Sequence, residues 1–244
     1  MSPHPPAGRV GLLTAIPALL APAAAGLGFL FGGRLLLPVL ATLAIYPCFA
    51  LLIVRGRRNA AIAAALLWAA SLSVTTILLT VRDPARAGAA ILNGDAYRDE
   101  MFAFIADGKG RESDPAAFVP LHARHLSLFV LLSAISAGLL GLGMGTVLVG
   151  YMSYYVGALA GGPAPLPAAL FGWPPWAVVR VVGFIILGTL LSRPLLSRLV
   201  RRPIPAEGEG RLYLLAFALL VLDLLLKWLL APYWPALLRP CLPG

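Results

Sequence analysis

The chain has 244 residues, of which 60% are hydrophobic and 12% charged, where an ordinary soluble domain carries about 25% charge. With a mean hydropathy of +0.88, this composition excludes a soluble enzyme of ordinary make-up, a disordered chain and a disulfide scaffold. It fits an all-α polytopic membrane helix bundle, and the net charge of +9 sits in short segments between apolar runs, which reads as loops facing an anionic lipid surface rather than a nucleic-acid site.

A hydrocarbon core of about 30 Å takes ~20 apolar residues per helix. Runs of that kind fall at 10–31, 35–54, 60–81, 126–149, 176–192 and 212–231, which predicts six transmembrane helices in one membrane domain covering residues 1–244. In the first run, Ala23-Ala24-Ala25 looks like a cleavage site behind Arg9. Pro17 and Pro22 break the stretch, however, and a signal peptide has an unbroken apolar core. The expectation is therefore a retained first helix. Pro38 and Pro47 interrupt the second run, where a kink between neighbouring helices is the simplest account. The loop after it, Arg55-Gly56-Arg57-Arg58, is densely basic.

The stretch 82–125 is the longest polar one and holds seven of the ten acidic residues. It reads as extramembrane. Within it, Tyr97, Met101, Phe104 and Ile105 recur at helical spacing and predict a short amphipathic helix lying in the membrane interface, stopped at Gly108. Asp114-Pro115 has the form of a helix start. His122 and His125 follow at i, i+3, at the beginning of the fourth run. With a carboxylate they could hold a metal, but no third ligand is fixed by spacing, so polar anchoring at the interface is the simpler reading. Neither a metal nor another cofactor is expected.

Ser133, Ala137, Gly141 and Gly145 fall every four residues along 126–149. Small residues let helix backbones approach closely in lipid. This stripe predicts a packing helix, central in the fold or facing a protein partner or a second copy of the chain. The next connection, 150–175, carries no charge. Tyr151, Tyr154 and Tyr155 stand at one end of it and Trp173 and Trp176 at the other, which predicts aromatic belts on one face, shared with Tyr233 and Trp234.

Charge reappears inside the last two runs. Arg180 lies 12 residues before Ser192, and Asp223 lies 12 residues after Arg211. Antiparallel neighbours would put both at one depth. Lys227 is one turn beyond Asp223, in the favourable acid-first order. The expectation is an intramembrane set of Arg180, Asp223 and Lys227, either a structural staple or a site for a solute, a proton or a headgroup. Cys48 and Cys241 read as unpaired packing thiols.

The charge pattern conflicts with itself. Six spans place Arg55–Arg58 and the group Arg193–Arg202 on opposite faces, although both are dense enough to be cytoplasmic. A seventh crossing near 146–162, after a turn at Gly141–Gly145, would reconcile them. Three function classes remain. The first is a non-enzymatic permease component or a subunit of a larger complex, in a bacterial cytoplasmic (inner) membrane. The second is a membrane-embedded enzyme acting on lipid or peptide at the interface, with His122 or His125 as base and Glu100 or Asp99 as orienting acid. The third is a sensor or assembly factor that binds through 82–125.

Overall fold

A computed structural model describes residues 7–243, with the Ala7 and Arg9 side chains outside the described set. The described residues form an all-helical polytopic bundle. Seven of its helices are long and apolar enough to cross a membrane. They are α1 (Ala7–Phe31), α2 (Leu36–Val54), α3 (Arg58–Arg82), α6 (Pro115–Ile135), α7 (Leu139–Ala160), α9 (Pro175–Leu199) and α10 (Glu209–Leu230). Four short helices, α4 (Pro84–Ala90), α5 (Gly94–Asp107), α8 (Pro165–Phe171) and α11 (Trp234–Leu238), gather at one face. That face is called the capped face here, and the opposite one the arginine face.

The single span expected over 126–149 is two helices. Helix α6 starts earlier, at Pro115, with the Asp114 carboxylate accepting from the Ala116 N–H at 3.0 Å. It ends at Ile135, and α7 begins four residues later. The extra crossing is the one that reconciles the basic clusters, but its turn is Ser136–Gly138 rather than Gly141–Gly145. The Gly138 N–H donates to the Ser133 carbonyl at 2.9 Å, with Ala137 at φ 54 and Gly138 at φ 88. This is a Schellman ending in which alanine holds the left-handed position that glycine ordinarily takes.

The predicted small-residue stripe therefore lies on both arms of a hairpin. Ser133 is on α6, Ala137 is in the turn, and Gly141 and Gly145 are on α7. They still meet, because a Cβ on Gly141 would overlap the Ser133 hydroxyl. Ser133, Ala137 and Gly141 are buried within the bundle, and Gly145 borders an apolar cavity between α7 and α9.

Helix α3 is the hub. Ala61, Ala64, Ala65 and Ala69 are buried on it, and these small side chains admit α1 and α2 closely. Polar ties replace the missing hydrophobic drive between helices in lipid. The Trp68 indole donates to the Ala41 carbonyl at 3.1 Å, Thr42 meets Thr146 at 3.0 Å, and Ser153 donates to Ser73 at 3.0 Å. Helix α10 stands at the edge and packs chiefly on α9. Its buried residues, Glu209, Ala216, Asp223 and Lys227, form one stripe at heptad-like spacing.

The amphipathic helix α5 exists, but its apolar side faces protein rather than lipid. Met101, Phe104 and Ile105 are buried against Tyr155 and Leu159 of α7, Trp176 of α9 and Leu238 of α11. Tyr154 and Tyr155, expected in an interfacial belt, are likewise buried inside the protein, whereas Tyr233 is exposed.

Candidate functional site

Intramembrane charge concentrates where α6, α9 and α10 meet, toward the capped face. Arg180 sits five residues into α9, which is about 8 Å along the helix at 1.5 Å per residue. Its Nε and Nη2 donate to Asp223 Oδ2 and Oδ1 at 2.8 and 2.9 Å. This fork-on-carboxylate geometry is the strongest form of the pair. The antiparallel depth match of the two residues is the reason they can meet.

A second ion pair joins the same helices near the arginine face, Arg193 to Glu209 at 2.6 Å. Thirteen residues separate the two arginines on α9 and fourteen separate the two acids on α10. One antiparallel register thus satisfies both pairs. Gly183 keeps the helices close between them, since a Cβ there would press on Leu220 at 3.2 Å.

Lys227 does not complete a triad with Arg180 and Asp223. Its ammonium pairs with Glu112 at 2.9 Å and lies 4.8 Å from the Phe118 ring centre. Only 1% of the Lys227 side chain is exposed. Glu112 belongs to the polar stretch just before α6, which therefore reaches back into the bundle. Nothing in the spacing of the sequence singles out Glu112 or Glu209.

His122 and His125 lie about two and three turns into α6, on the side that faces α9 and α10. The His122 Nδ1 lies 2.8 Å from the Phe118 carbonyl, which fixes the ring on its own helix. Its Nε2 is buried, faces Asp223 Oδ2 at 3.5 Å and has no hydrogen-bond partner among the described residues. Glu100 is elsewhere. It pairs with Arg111 at 3.4 Å and lines a separate surface depression with Tyr97 and Lys109. Asp99 pairs with Arg98 at 2.8 Å. The expected acid–histidine pair is therefore not assembled, and the carboxylate nearest His122 is Asp223. Among the described residues no group of three His, Cys, Asp or Glu side chains is placed to hold a metal.

These side chains wall a crevice of about 170 Å³, with His122, His125 and Leu126 on one side, Arg180 and Phe184 on the floor, and Leu220, Asp223 and Leu224 opposite. A single water needs only ~10–15 Å³ by the same measure. Exposed Val119 and Ala123 form one lip, so the crevice opens sideways between α6 and α10, toward the bilayer. Its capped end is closed by the Glu112–Lys227 pair and Phe118. Behind these lies Tyr97 of α5, its ring tilted against that of Tyr151 with centres 4.5 Å apart. Burial, reinforced by the Glu112 carboxylate, holds the Tyr97 phenol well above its usual range, so it stays neutral. Compared with known protein families, curated proteins and solved structures, the chain finds no match.

Proposed function

We propose that this chain is a non-enzymatic membrane protein of bacterial inner-membrane type, a small permease component or a subunit of a larger complex, that binds a ligand in the crevice between α6, α9 and α10. One observation carries this reading. Charged and histidine side chains, costly at such depth, surround a space far larger than a water and open to the bilayer. A purely structural staple has no need of that space.

The charge distribution orients the site. Arg55, Arg57, Arg58, Arg198, Arg201, Arg202 and Arg211 fall on the arginine face, with Glu207 and Glu209 as its acids. The capped face carries as many basic residues, Arg34, Arg82, Arg86, Arg98, Lys109, Arg111 and Arg239, but they are dispersed and, over 82–114, interleaved with seven acids. We read the denser clusters in the two short loops as the cytoplasmic side, which puts the crevice in the outer leaflet. For the subunit role, the outer side of the α6–α7 hairpin, with Leu131, Ile135 and Leu140 exposed, is the surface for a protein partner or a second copy.

The test is purification in mild detergent, followed by mass analysis of co-purified small molecules and proteins. Ala123→Trp fills the crevice from its lip without touching an ion pair. It should strip the bound molecule at least tenfold and leave the melting temperature unchanged. Equal occupancy in the variant would remove the crevice as the binding site.

A further inference from the structure

Resting on the crevice being a ligand site, the geometry points to its chemistry: we propose that it takes a neutral lipid-soluble alcohol, whose hydroxyl donates between His122 Nε2 and Asp223 Oδ2.

The tautomer of His122 follows from its own helix. A carbonyl oxygen only accepts, so the nitrogen 2.8 Å from the Phe118 carbonyl, Nδ1, carries the proton. In the neutral ring Nε2 is then a lone pair. It is buried and no donor meets it among the described residues. The group facing it at 3.5 Å, Asp223 Oδ2, is a carboxylate oxygen that Arg180 already holds. Two acceptors confront each other on the wall of the crevice. A buried acceptor without a partner is unfavourable; the single proton of a hydroxyl at the notch can be shared by the two in a three-centre bond, giving Nε2 its missing donor while Oδ2 keeps its bond from Arg180.

An anionic head fits less well. Arg180 turns two of its nitrogens to Asp223, and Lys227 is held by Glu112. Both buried cations of the cluster thus already hold a carboxylate. The other groups around the notch do not add a free cation at the same point: His125 shares the crevice wall, and Arg124 is on the exposed side of α6. What remains is a site for a donor without charge.

The route and the walls call for an apolar tail. The crevice opens to the bilayer, and beyond the polar notch its walls are Leu126, Phe184 and Leu220. Phe184 stacks on Phe129 with ring centres 4.6 Å apart and planes at 12°. Behind this stack is a second, apolar cavity of about 50 Å³, floored by Gly141, Gly145 and Gly188 and shared with Phe184. A chain whose hydroxyl sits at His122 would run past Phe184 toward the membrane centre and find space there.

The probe is hexadecanol carrying a photoactivatable diazirine on its chain, applied to the protein in lipid nanodiscs, with labelled peptides mapped by mass spectrometry. Competitors are hexadecanol, its methyl ether and hexadecanoic acid. The expected result is labelling on 119–126 and 220–224, blocked by hexadecanol and at least tenfold less by the ether, which keeps the tail and loses the donor. His122→Asn keeps a donor for the Phe118 carbonyl and removes the Nε2 acceptor, so it should cut labelling about tenfold. His122→Gln, which can present its amide oxygen near the Nε2 position, should restore part of it. The wild-type competition carries the test even where a variant fails to fold. Equal competition by ether and alcohol, or preference for the acid, overturns the hydroxyl reading and leaves the crevice a ligand site. Labelling of the crevice by no probe overturns both, and the notch then holds only water.

Discussion

Arg180 and Asp223 form a two-point ion pair between antiparallel α9 and α10, at 2.8 and 2.9 Å, with only 2% of the Asp223 side chain exposed. Breaking a buried pair leaves an uncompensated charge, which costs about 3–5 kcal/mol, whereas replacing both partners by apolar groups can be nearly neutral. Asp223→Ala and Arg180→Leu should each lower the unfolding free energy in detergent micelles by that order. Arg180→Leu with Asp223→Leu should lose less than either. Single losses that simply add in the double variant would show that the residues act separately. Ligand binding should fail in all of them, because the carboxylate of the notch is gone or unanchored.

Glu112 offers a sharper contrast, because it looks like an ordinary loop acid. A surface substitution usually shifts stability by no more than about 0.5 kcal/mol. Glu112, however, is the partner of a lysine with 1% exposure. Glu112→Ala should cost several times what Asp107→Ala costs, since Asp107 is exposed. Adding Lys227→Met, which removes the stranded ammonium, should recover part of the loss. Melting temperatures of the four proteins in one detergent decide it. Equal effects of Glu112→Ala and Asp107→Ala would remove the pair as a stabilising contact.

Ala137 sits at φ 54 in the turn of the α6–α7 hairpin. The left-handed region costs an L residue about 1–2 kcal/mol relative to glycine's freedom there. Ala137→Gly should raise stability by about 0.5–1 kcal/mol. Gly138→Ala should do the opposite, because at φ 88 its Cβ would also collide with Ser192 and press on Phe49. Gly141→Leu should be the most damaging of the three, since it drives Ser133 away from the hairpin's crossing point. Thermal unfolding of the three variants gives the ordering.

What could be read in advance follows from the range of the forces involved. The Arg180–Asp223 contact was legible because consecutive antiparallel helices convert residue counting into depth. The membrane class was legible because burial in lipid needs long apolar runs. The α6–α7 turn was hidden because Ser136-Ala137-Gly138 carries neither charge nor proline inside an unbroken apolar stretch. Its only signal was Gly138, one of many glycines. Glu112 was hidden for another reason. Its partner Lys227 is on a helix far along the chain, and the approach depends on how α6 and α10 both lean on α9. An apolar stripe looks the same whether lipid or protein covers it, so the sequence alone does not show that α5 turns its apolar face to α7, α9 and α11.

The seventh crossing has a direct consequence for labelling. Arg202 donates to the Val54 carbonyl at 3.2 Å, and Arg58 reaches the Glu207 carbonyl, so the loop after α2 and the loop before α10 touch. With six spans they would lie on opposite faces of the membrane. Single cysteines at Asn59, Ala206 and Ala106 test this in a background where Cys48 and Cys241 are alanine; all three host positions are exposed. A membrane-impermeant maleimide added to intact cells, or to spheroplasts of a host with an outer membrane, should label the Ala106 position, beside the acid-rich cap. The Asn59 and Ala206 positions should stay protected and react together once the membrane is permeabilised. The reverse pattern, Asn59 and Ala206 labelled and Ala106 protected, would invert the orientation and keep the seven crossings. Asn59 and Ala206 reacting from different sides would exclude the hairpin at Ser136–Gly138 as a membrane-spanning pair.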